Sequence, residues 1–171
     1  LKVSRMGFGG IPIQKIDVLA VRRLMEKLAE KGVNYIDTAR GYTVSEAYLG
    51  EALCGIRDKF VLATKSMART KDAMAADIED SLRKLQTDYI DFYLLHALGK
   101  DNIGNYDKYG IWDFVKEAKE KGLIKHYGFS FHDSPEVLEQ LLIDHPDVEL
   151  VQLQINYADW EDLDVQSRKC Y

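Results

Sequence analysis

Short apolar runs alternate along this chain with longer segments in which apolar residues recur at helical spacing. The runs are rich in β-branched and aromatic residues and predict six strands: Lys2–Gly9, Val33–Asp37, Phe60–Lys65, Tyr89–His96, Ile124–Ser130 and Glu149–Ile155. Several runs are almost continuously apolar, which is typical of parallel strands buried on both faces. Successive strands begin about 30 residues apart, a length that suits a β-α-β crossover between parallel strands.

The segments between the strands carry signals for helices. The helix predicted over Asp17–Lys31 has one apolar face, and Gly32 is suited to end it. Two pairs of residues have the spacing of a capping box and predict helix starts: Thr43 with Glu46 and Asp133 with Glu136. A last helix is predicted to begin over Val165–Tyr171.

Strict alternation of strands and helices leaves two architectures, an open doubly wound sheet or a closed (β/α)8 barrel. A doubly wound dinucleotide-binding sheet should have a G-x-G-x-x-G turn after its first strand. Residues 7–10 read Gly-Phe-Gly-Gly and lack the third glycine at its required offset. The barrel is therefore the favoured fold, and it is expected to collect its chemistry at the carboxyl ends of the strands.

The composition narrows the class of partner. The chain has 171 residues, of which 46% are hydrophobic and 30% charged, with a net charge of -5. These totals show no basic excess of the kind that binding to nucleic acid or to an anionic membrane requires, and no apolar stretch predicts a membrane span. Because there are only two cysteines, neither a disulfide framework nor a four-cysteine metal site is expected. The expected location is the cytoplasm.

Four ionisable residues fall where predicted strands end. Asp37 ends the second strand and Tyr42 lies in the loop after it, while Lys65 and His96 end the third and fourth strands. Each residue taken alone has a structural explanation, such as a cap or the first exposed position after a strand. Their joint occurrence at successive strand ends is a rarer pattern, and it predicts one shared pocket.

These residue types suit the protonation of a substrate oxygen. A free tyrosine has a pKa of about 10, and the ammonium of Lys65 is expected to lower the pKa of Tyr42. Asp37 would pair with Lys65 and keep it charged, and His96 would donate a second hydrogen bond to the same oxygen. With no nucleophile and no metal, such a set indicates an acid site that polarises a carbonyl for hydride delivery.

The motifs around these strand ends resemble those of the aldo-keto reductase family. The likeness is carried, in order, by these segments: DTARGY at 37–42, Ser45-Glu46, Leu49-Gly50, ATK at 63–65, DYIDFYLLH at 88–96 and GFS at 128–130. The resemblance implies a (β/α)8 barrel that uses NADP(H), without a Rossmann fold, to reduce aldehydes or ketones.

The resemblance also implies roles for individual residues. Carried over by position, they form a catalytic tetrad: Tyr42 as proton donor with Asp37, Lys65 and His96. Cofactor contacts are implied for four more: Ser130 and Gln154 at the nicotinamide carboxamide, and Gly9 and Gly10 in a loop near the cofactor. No metal is implied.

The chain departs from the family pattern in three places. Thr43 stands where a glycine usually follows the tyrosine, and Phe131 where an asparagine usually follows the serine. Residues 129–133 and 156–159 are similar to a bacterial branch whose members often carry a C-terminal iron–sulfur segment, yet the sequence has no such cysteine cluster.

The length sets a further expectation. A (β/α)8 barrel takes about 250 residues, so residues 1–171 are expected to form the N-terminal two-thirds of one, truncated after the sixth strand and the start of the next helix. The missing seventh and eighth strands would bring the residue that stacks on the nicotinamide and those that hold the adenosine phosphate. A preference for NADP over NAD therefore rests on the resemblance alone.

Three functions remain open at this point. The chain is a reductase of small carbonyl compounds, a nucleotide-binding regulatory subunit of the same fold, or a folded fragment without activity. The expected partner is a small-molecule carbonyl substrate, and open strand edges would allow association between chains. The sequence predicts neither the oligomeric state nor the particular carbonyl substrate.

Overall fold

A computed structural model describes residues 1–158, 160–163 and 166–171 of the chain. It contains six parallel strands: β1 (Gly7–Gly9), β2 (Tyr35–Asp37), β3 (Val61–Ser66), β4 (Ile90–Leu98), β5 (Ile124–Phe131) and β6 (Leu150–Leu153). The described residues also form seven α-helices: α1 (Val18–Glu30), α2 (Ser45–Ala52), α3 (Lys71–Leu85), α4 (Ile103–Lys108), α5 (Ile111–Glu120), α6 (Pro135–Asp144) and α7 (Ser167–Cys170). Short 3₁₀ helices cover Pro12–Lys15 and Arg57–Lys59.

The strands form one sheet in the order of the chain, β1-β2-β3-β4-β5-β6, and every neighbouring pair is parallel. This sequential order has no point at which the strand order reverses, so the doubly wound architecture is excluded. The sheet also curls, because Tyr42 after β2 and Gln154 after β6 line the same cleft. The predicted fold class is confirmed as six strands of a (β/α)8 barrel. The assignment of residues 1–171 as two-thirds of that domain stays a prediction.

The two faces of the sheet are buried differently. The outer face packs on the helices and forms the main core, to which the strands contribute residues such as Ile36, Leu62 and Phe129. The inner face has a small apolar floor of Val61, Ala63, Phe92 and Leu94, with Tyr35 and Leu150 against it. Because side chains alternate along a strand, the same inner face places polar residues above that floor at the carboxyl ends.

The first strand is shorter than predicted. Strand β1 begins at Gly7 rather than Lys2, because side chains satisfy the backbone before it. The amide of Asn34 donates to Lys2 O at 3.0 Å and its oxygen accepts from Ser4 N at 2.7 Å. These side-chain bonds replace a strand ladder over residues 2–4.

The predicted helix starts have mixed outcomes. Asp17 caps α1 by accepting a hydrogen bond from Ala20 N at 2.8 Å, and Gly32 after the helix has a φ of 74°. Both capping boxes are wrong. Glu46 instead turns into a buried polar network, and Asp133 accepts a hydrogen bond from Lys100 N in the preceding loop.

The end of the chain is described only in part. Helix α7 covers Ser167–Cys170, inside the predicted Val165–Tyr171, while Val165 lies outside the described residues. Asp159, the last residue of the segment 156–159, also lies outside them. No helix among the described residues is long and apolar enough to span a membrane.

Candidate active site

A buried ion pair lies at the centre of the polar inner face. The ammonium of Lys65 on β3 donates to both carboxylate oxygens of Asp37 on β2, at 2.6 and 2.7 Å, and to Thr38 O at 2.9 Å. Three acceptors thus satisfy all three N–H groups of a side chain that is only 2% exposed. Burial lowers the pKa of Lys65 and the Asp37 carboxylate opposes that shift.

Tyr42 lies above this pair in the loop after β2. The loop is fixed to β3 by backbone hydrogen bonds, from Thr38 N to Ala63 O at 2.8 Å and from Arg40 N to Lys65 O at 2.9 Å. The centroid of the Tyr42 ring is 5.3 Å from the Lys65 Nζ. The sequence-predicted residues Asp37, Tyr42 and Lys65 are therefore brought together.

The pKa of Tyr42 moves in the direction opposite to the expected one. Burial of the phenol raises its pKa, and the negative charge of Asp37 adds to the rise. The expectation that Lys65 lowers the pKa of Tyr42 is wrong for this state of the site, in which burial and the Asp37 charge raise that pKa. Tyr42 accordingly remains protonated at neutral pH.

His96 completes the group from β4. Its ring packs edge-on against that of Tyr42, with centroids 6.1 Å apart and planes at 82°. Burial and the Lys65 charge lower the pKa of His96, so the imidazole is neutral at pH 7 and keeps one N–H donor. Its Nδ1 is buried and meets no hydrogen-bond partner among the described residues.

These side chains open onto a cleft of about 250 Å³. Its wall carries polar residues from β5, β6 and the segments after them: Ser130, His132, Gln152 and Gln154. Ser130 and Gln154 are two of the sequence-predicted cofactor residues. The Oγ of Ser130 accepts a hydrogen bond from Ala97 N at 2.8 Å, which leaves the hydroxyl proton available to a ligand.

Sequence reasoning missed His132 and Gln152 as cleft residues. His132 lies two positions after Ser130, and Gln152 lies two before Gln154. Residues two apart on a strand face the same side, so extending each predicted residue by that period would have found both. The Oε1 of Gln152 is buried without a partner among the described residues.

Gly9 and Gly10 lie at the same end of the sheet, outside the lining of this cleft. Gly9 pairs with Asp37 in the register of β1 and β2, and Gly10 N donates to Asp37 O at 2.7 Å. A Cβ on Gly10 would lie 2.7 Å from Ser45 Oγ and 3.1 Å from Asp37 O. Close packing therefore explains the glycine at 10, and the predicted cofactor role of both glycines stays a prediction.

A second set of charged groups, centred on the buried Glu46, lies on the outer side of β3, beneath the Tyr42 loop. Glu46, 2% exposed, accepts hydrogen bonds from Thr64 at 2.7 Å, Ser81 at 2.8 Å and Arg40 at 3.2 Å. Arg40 also pairs with Asp77 and Asp80 on α3. We call this set the Glu46 network: Arg40, Glu46, Thr64, Asp77, Asp80 and Ser81. It ties the loop to α2 and α3.

The fold and the cleft define a class of protein, a (β/α)-barrel with a protonated tyrosine, a neutral histidine and a buried Lys–Asp pair at its strand ends. A sequence model described as the Aldo/keto reductase family matches residues 5–171. The chain belongs to this family.

Three proteins illustrate the likeness. An uncharacterized oxidoreductase of Bacillus subtilis, YqkF, is 31% identical over 147 residues, which cover 76% of this chain and 45% of that protein. Methylglyoxal reductase YeaE of Escherichia coli is 40% identical over 90 residues, or 50% and 30% of the two chains. An aldo/keto reductase of Klebsiella pneumoniae, solved with NADP and acetate, is 29% identical with a TM-score of 0.74, covering 94% of this chain and 59% of that one.

The present chain spans about half the length of the curated relatives that it matches first. The six strands and the four residues of the predicted tetrad lie within residues 5–171, which the family model matches.

Proposed function

We propose that this chain carries the catalytic half of an NADP(H)-dependent reductase of small aldehydes or ketones. One observation carries the proposal: a protonated phenol, Tyr42, and a neutral imidazole, His96, border one cleft above the buried Lys65–Asp37 pair. An acid and a second donor that converge on one point suit a carbonyl oxygen as their common acceptor.

The polar atoms of the cleft fit the carboxamide of a nicotinamide cofactor. An amide group needs both acceptors and donors, and the wall carries the Gln152 side chain, whose buried oxygen has no partner among the described residues, and the hydroxyl proton of Ser130. Gln154 lines the same wall and would contribute a third contact. When bound, a reduced nicotinamide dinucleotide supplies the hydride. The complex of the Klebsiella pneumoniae relative with NADP supports the choice of this cofactor.

Tyr42 supplies the proton. As the hydride adds to the carbonyl carbon, the electron pair of the C=O bond moves to the oxygen, which takes the proton from the Tyr42 Oη and becomes a hydroxyl. The raised pKa of Tyr42 is compatible with this step, because an alkoxide is a much stronger base than a phenolate. His96 orients the carbonyl by a hydrogen bond, and the Lys65–Asp37 pair fixes the floor beneath the phenol.

The substrate class follows from the lining of the cleft. Seven of the eight lining residues have polar side chains, so the site favours a small carbonyl compound with a second oxygen beside the reacting group. An α-oxoaldehyde has this chemistry. The relative named methylglyoxal reductase supports the choice.

The test is turnover of NADPH with a panel of small aldehydes, diketones and α-oxoaldehydes. Tyr42→Phe removes the acid and keeps the ring, so we expect turnover to fall about 10³-fold. Cofactor affinity, measured by fluorescence titration, should change less than about twofold, because the phenol is not among the residues assigned to the carboxamide.

The outcomes separate the functions left open by the sequence. Full turnover in Tyr42→Phe would rule out the acid assignment. NADPH binding without turnover of any panel member in the parent chain would support a regulatory subunit, and the absence of both would support an inactive fragment.

A further inference from the structure

Strand β4 contains one extra residue directly after His96. Its pairing with β5 runs regularly to Leu95 opposite Phe129 and resumes with Leu98 opposite Phe131. His96 and Ala97 therefore both stand opposite Ser130, which is the arrangement of a β-bulge. Bulges next to active sites change the direction in which a side chain points.

The bulge holds Ala97 in a conformation that alanine rarely adopts. Its φ is 55°, in the left-handed region where a Cβ meets steric resistance. Two side chains hold its peptide groups in place. Ser130 Oγ accepts from Ala97 N at 2.8 Å, and the Nδ2 of Asn102 donates to Ala97 O at 2.9 Å. The Oδ1 of Asn102 accepts from Gly99 N at 3.1 Å, so one side chain holds both ends of the turn after His96.

The bulge has a direct consequence for the two faces of the strand. It returns Leu98 to the main core, which lies against the helices, while His96 stays on the inner face in the cleft. Strict alternation along the strand would place residues 96 and 98 on the same side.

The orientation of the His96 ring depends on the backbone that carries it. Such a ring is commonly fixed by a hydrogen bond to its second nitrogen, but here Nδ1 meets no partner among the described residues. The ring also makes an edge contact with that of Tyr42.

We infer that Asn102 is a positioning residue that sets the direction of the His96 imidazole by holding the Ala97 bulge. The inference rests on the proposed function, in which His96 orients the substrate carbonyl. Asn102 itself is not among the residues that line the cleft.

Two substitutions separate the two bonds of Asn102. Asn102→Asp keeps an oxygen for Gly99 N and replaces the donor to Ala97 O by an oxygen that repels it. Asn102→Ala removes both bonds. Asn34→Ala is the matched control, because Asn34 also bridges two backbone groups, Lys2 O and Ser4 N, before β1.

The first measurement is the pH titration of the His96 imidazole signals by NMR in the chain without cofactor. Loosening the bulge lets solvent reach the ring, so we expect the lowered pKa of His96 to rise toward its ordinary value in both Asn102 variants and to stay unchanged in Asn34→Ala. The second is steady-state kinetics, where kcat should fall about tenfold and the KM for NADPH should change less than about twofold.

A rescue variant distinguishes positioning from a general loss of structure. Glycine adopts a φ of 55° without steric cost, so Ala97→Gly added to Asn102→Asp should restore part of the His96 titration and of kcat. Asn102→Asp keeps the bond to Gly99 and carries the test if Asn102→Ala does not fold.

The outcomes are distinct from those of the proposed function. A parent chain without turnover defeats the proposed function, while the NMR comparison still tests the position of His96. Unchanged His96 signals in the Asn102 variants, or equal changes in Asn34→Ala, would overturn the inference.

Discussion

Two groups of charged residues, each centred on one buried charge, lie on opposite sides of strand β3, and they differ in how completely their polar atoms are hydrogen-bonded. On the outer side, Thr64 joins the Glu46 network, in which both oxygens of the Glu46 carboxylate accept hydrogen bonds. On the inner side, the adjacent Lys65 pairs with Asp37, while the cleft around that pair leaves buried atoms of His96 and Gln152 without partners among the described residues.

This difference separates structural from functional use of polar groups. Leaving a buried polar atom unpaired costs free energy, and such atoms therefore need an explanation. A fully paired network is explained by the fold that it holds together. A ligand in the cleft lined by His96 and Gln152 would give such atoms partners. The substitutions below test this contrast between the two sides of β3.

The largest effect is expected on the inner side. Lys65→Met leaves the half-buried Asp37 carboxylate without its cation and removes the charge beneath Tyr42, so we expect kcat to fall about 10³-fold or more in the NADPH assay. Lys119→Met is the control, because it breaks the exposed pair with Glu149. Equal activity of the two variants would show that catalysis does not need the Lys65–Asp37 pair.

On the outer side the expected loss is in stability. Glu46→Ala leaves the Arg40 guanidinium and the hydroxyls of Thr64 and Ser81 without their acceptor, and we expect the free energy of unfolding to drop by about 3–5 kcal/mol in a urea titration. Glu46→Gln keeps an acceptor and should lose less. If Glu46→Gln folded fully and yet lost as much kcat as Lys65→Met, the network would belong to the catalytic site.

The stability contributed by the Glu46 network should also depend on pH. Hydrogen bonds from Lys84, Arg83 and Arg40 lower the pKa of Asp80 to about 2 from its ordinary 3.8. A carboxylate whose pKa is lower in the folded state stabilises that state at pH values above its ordinary pKa. This stabilisation is lost as the pH falls from about 4 to 2. After screening by solvent, we expect the free energy of unfolding of the parent chain to fall by about 1 kcal/mol more between pH 6 and pH 2.5 than that of Asp80→Asn. If both proteins lost the same stability on acidification, groups other than Asp80 would be responsible.

The smallest effect is expected at Gly9, and its neighbour Gly10 is the comparison. Gly10→Ala forces a Cβ against Ser45 Oγ and should lower the free energy of unfolding by about 1–3 kcal/mol. Gly9→Ala meets no atom within 4 Å and should change it by less than about 0.5 kcal/mol. A rise in the KM for NADPH in Gly9→Ala, with stability unchanged, would support the predicted role of Gly9 near the cofactor.

Much of the fold could be predicted from local pattern. Apolar runs at intervals of about 30 residues are repeated along the whole chain. All six strands could therefore be predicted, although their predicted ends differ by a few residues from the observed ones. The first strand was predicted too long because the Asn34 side chain, 30 residues away from Ser4, satisfies the backbone there. The capping boxes failed because Glu46 and Asp133 bind partners outside their own helices.

The candidate site could be predicted where a residue type and a strand end coincide. Asp37, Tyr42, Lys65 and His96 were found this way, and the structure brings all four together. The bulge after His96 could not be predicted, since nothing in the sequence of β4 marks Ala97 as left-handed. Only its contacts with Ser130 and Asn102 select that conformation.

By itself the sequence determined the alternation of strands and helices, the family, and the residues that stand at the strand ends, because periodicity and motif spacing are local properties of the chain. The tertiary structure decided which buried charges are paired and that the pKa of Tyr42 rises rather than falls. These properties depend on burial and on the distance to charges far apart in sequence. In the folded chain the Lys65 ammonium is bound to the Asp37 carboxylate, and the half-buried phenol of Tyr42 keeps its proton.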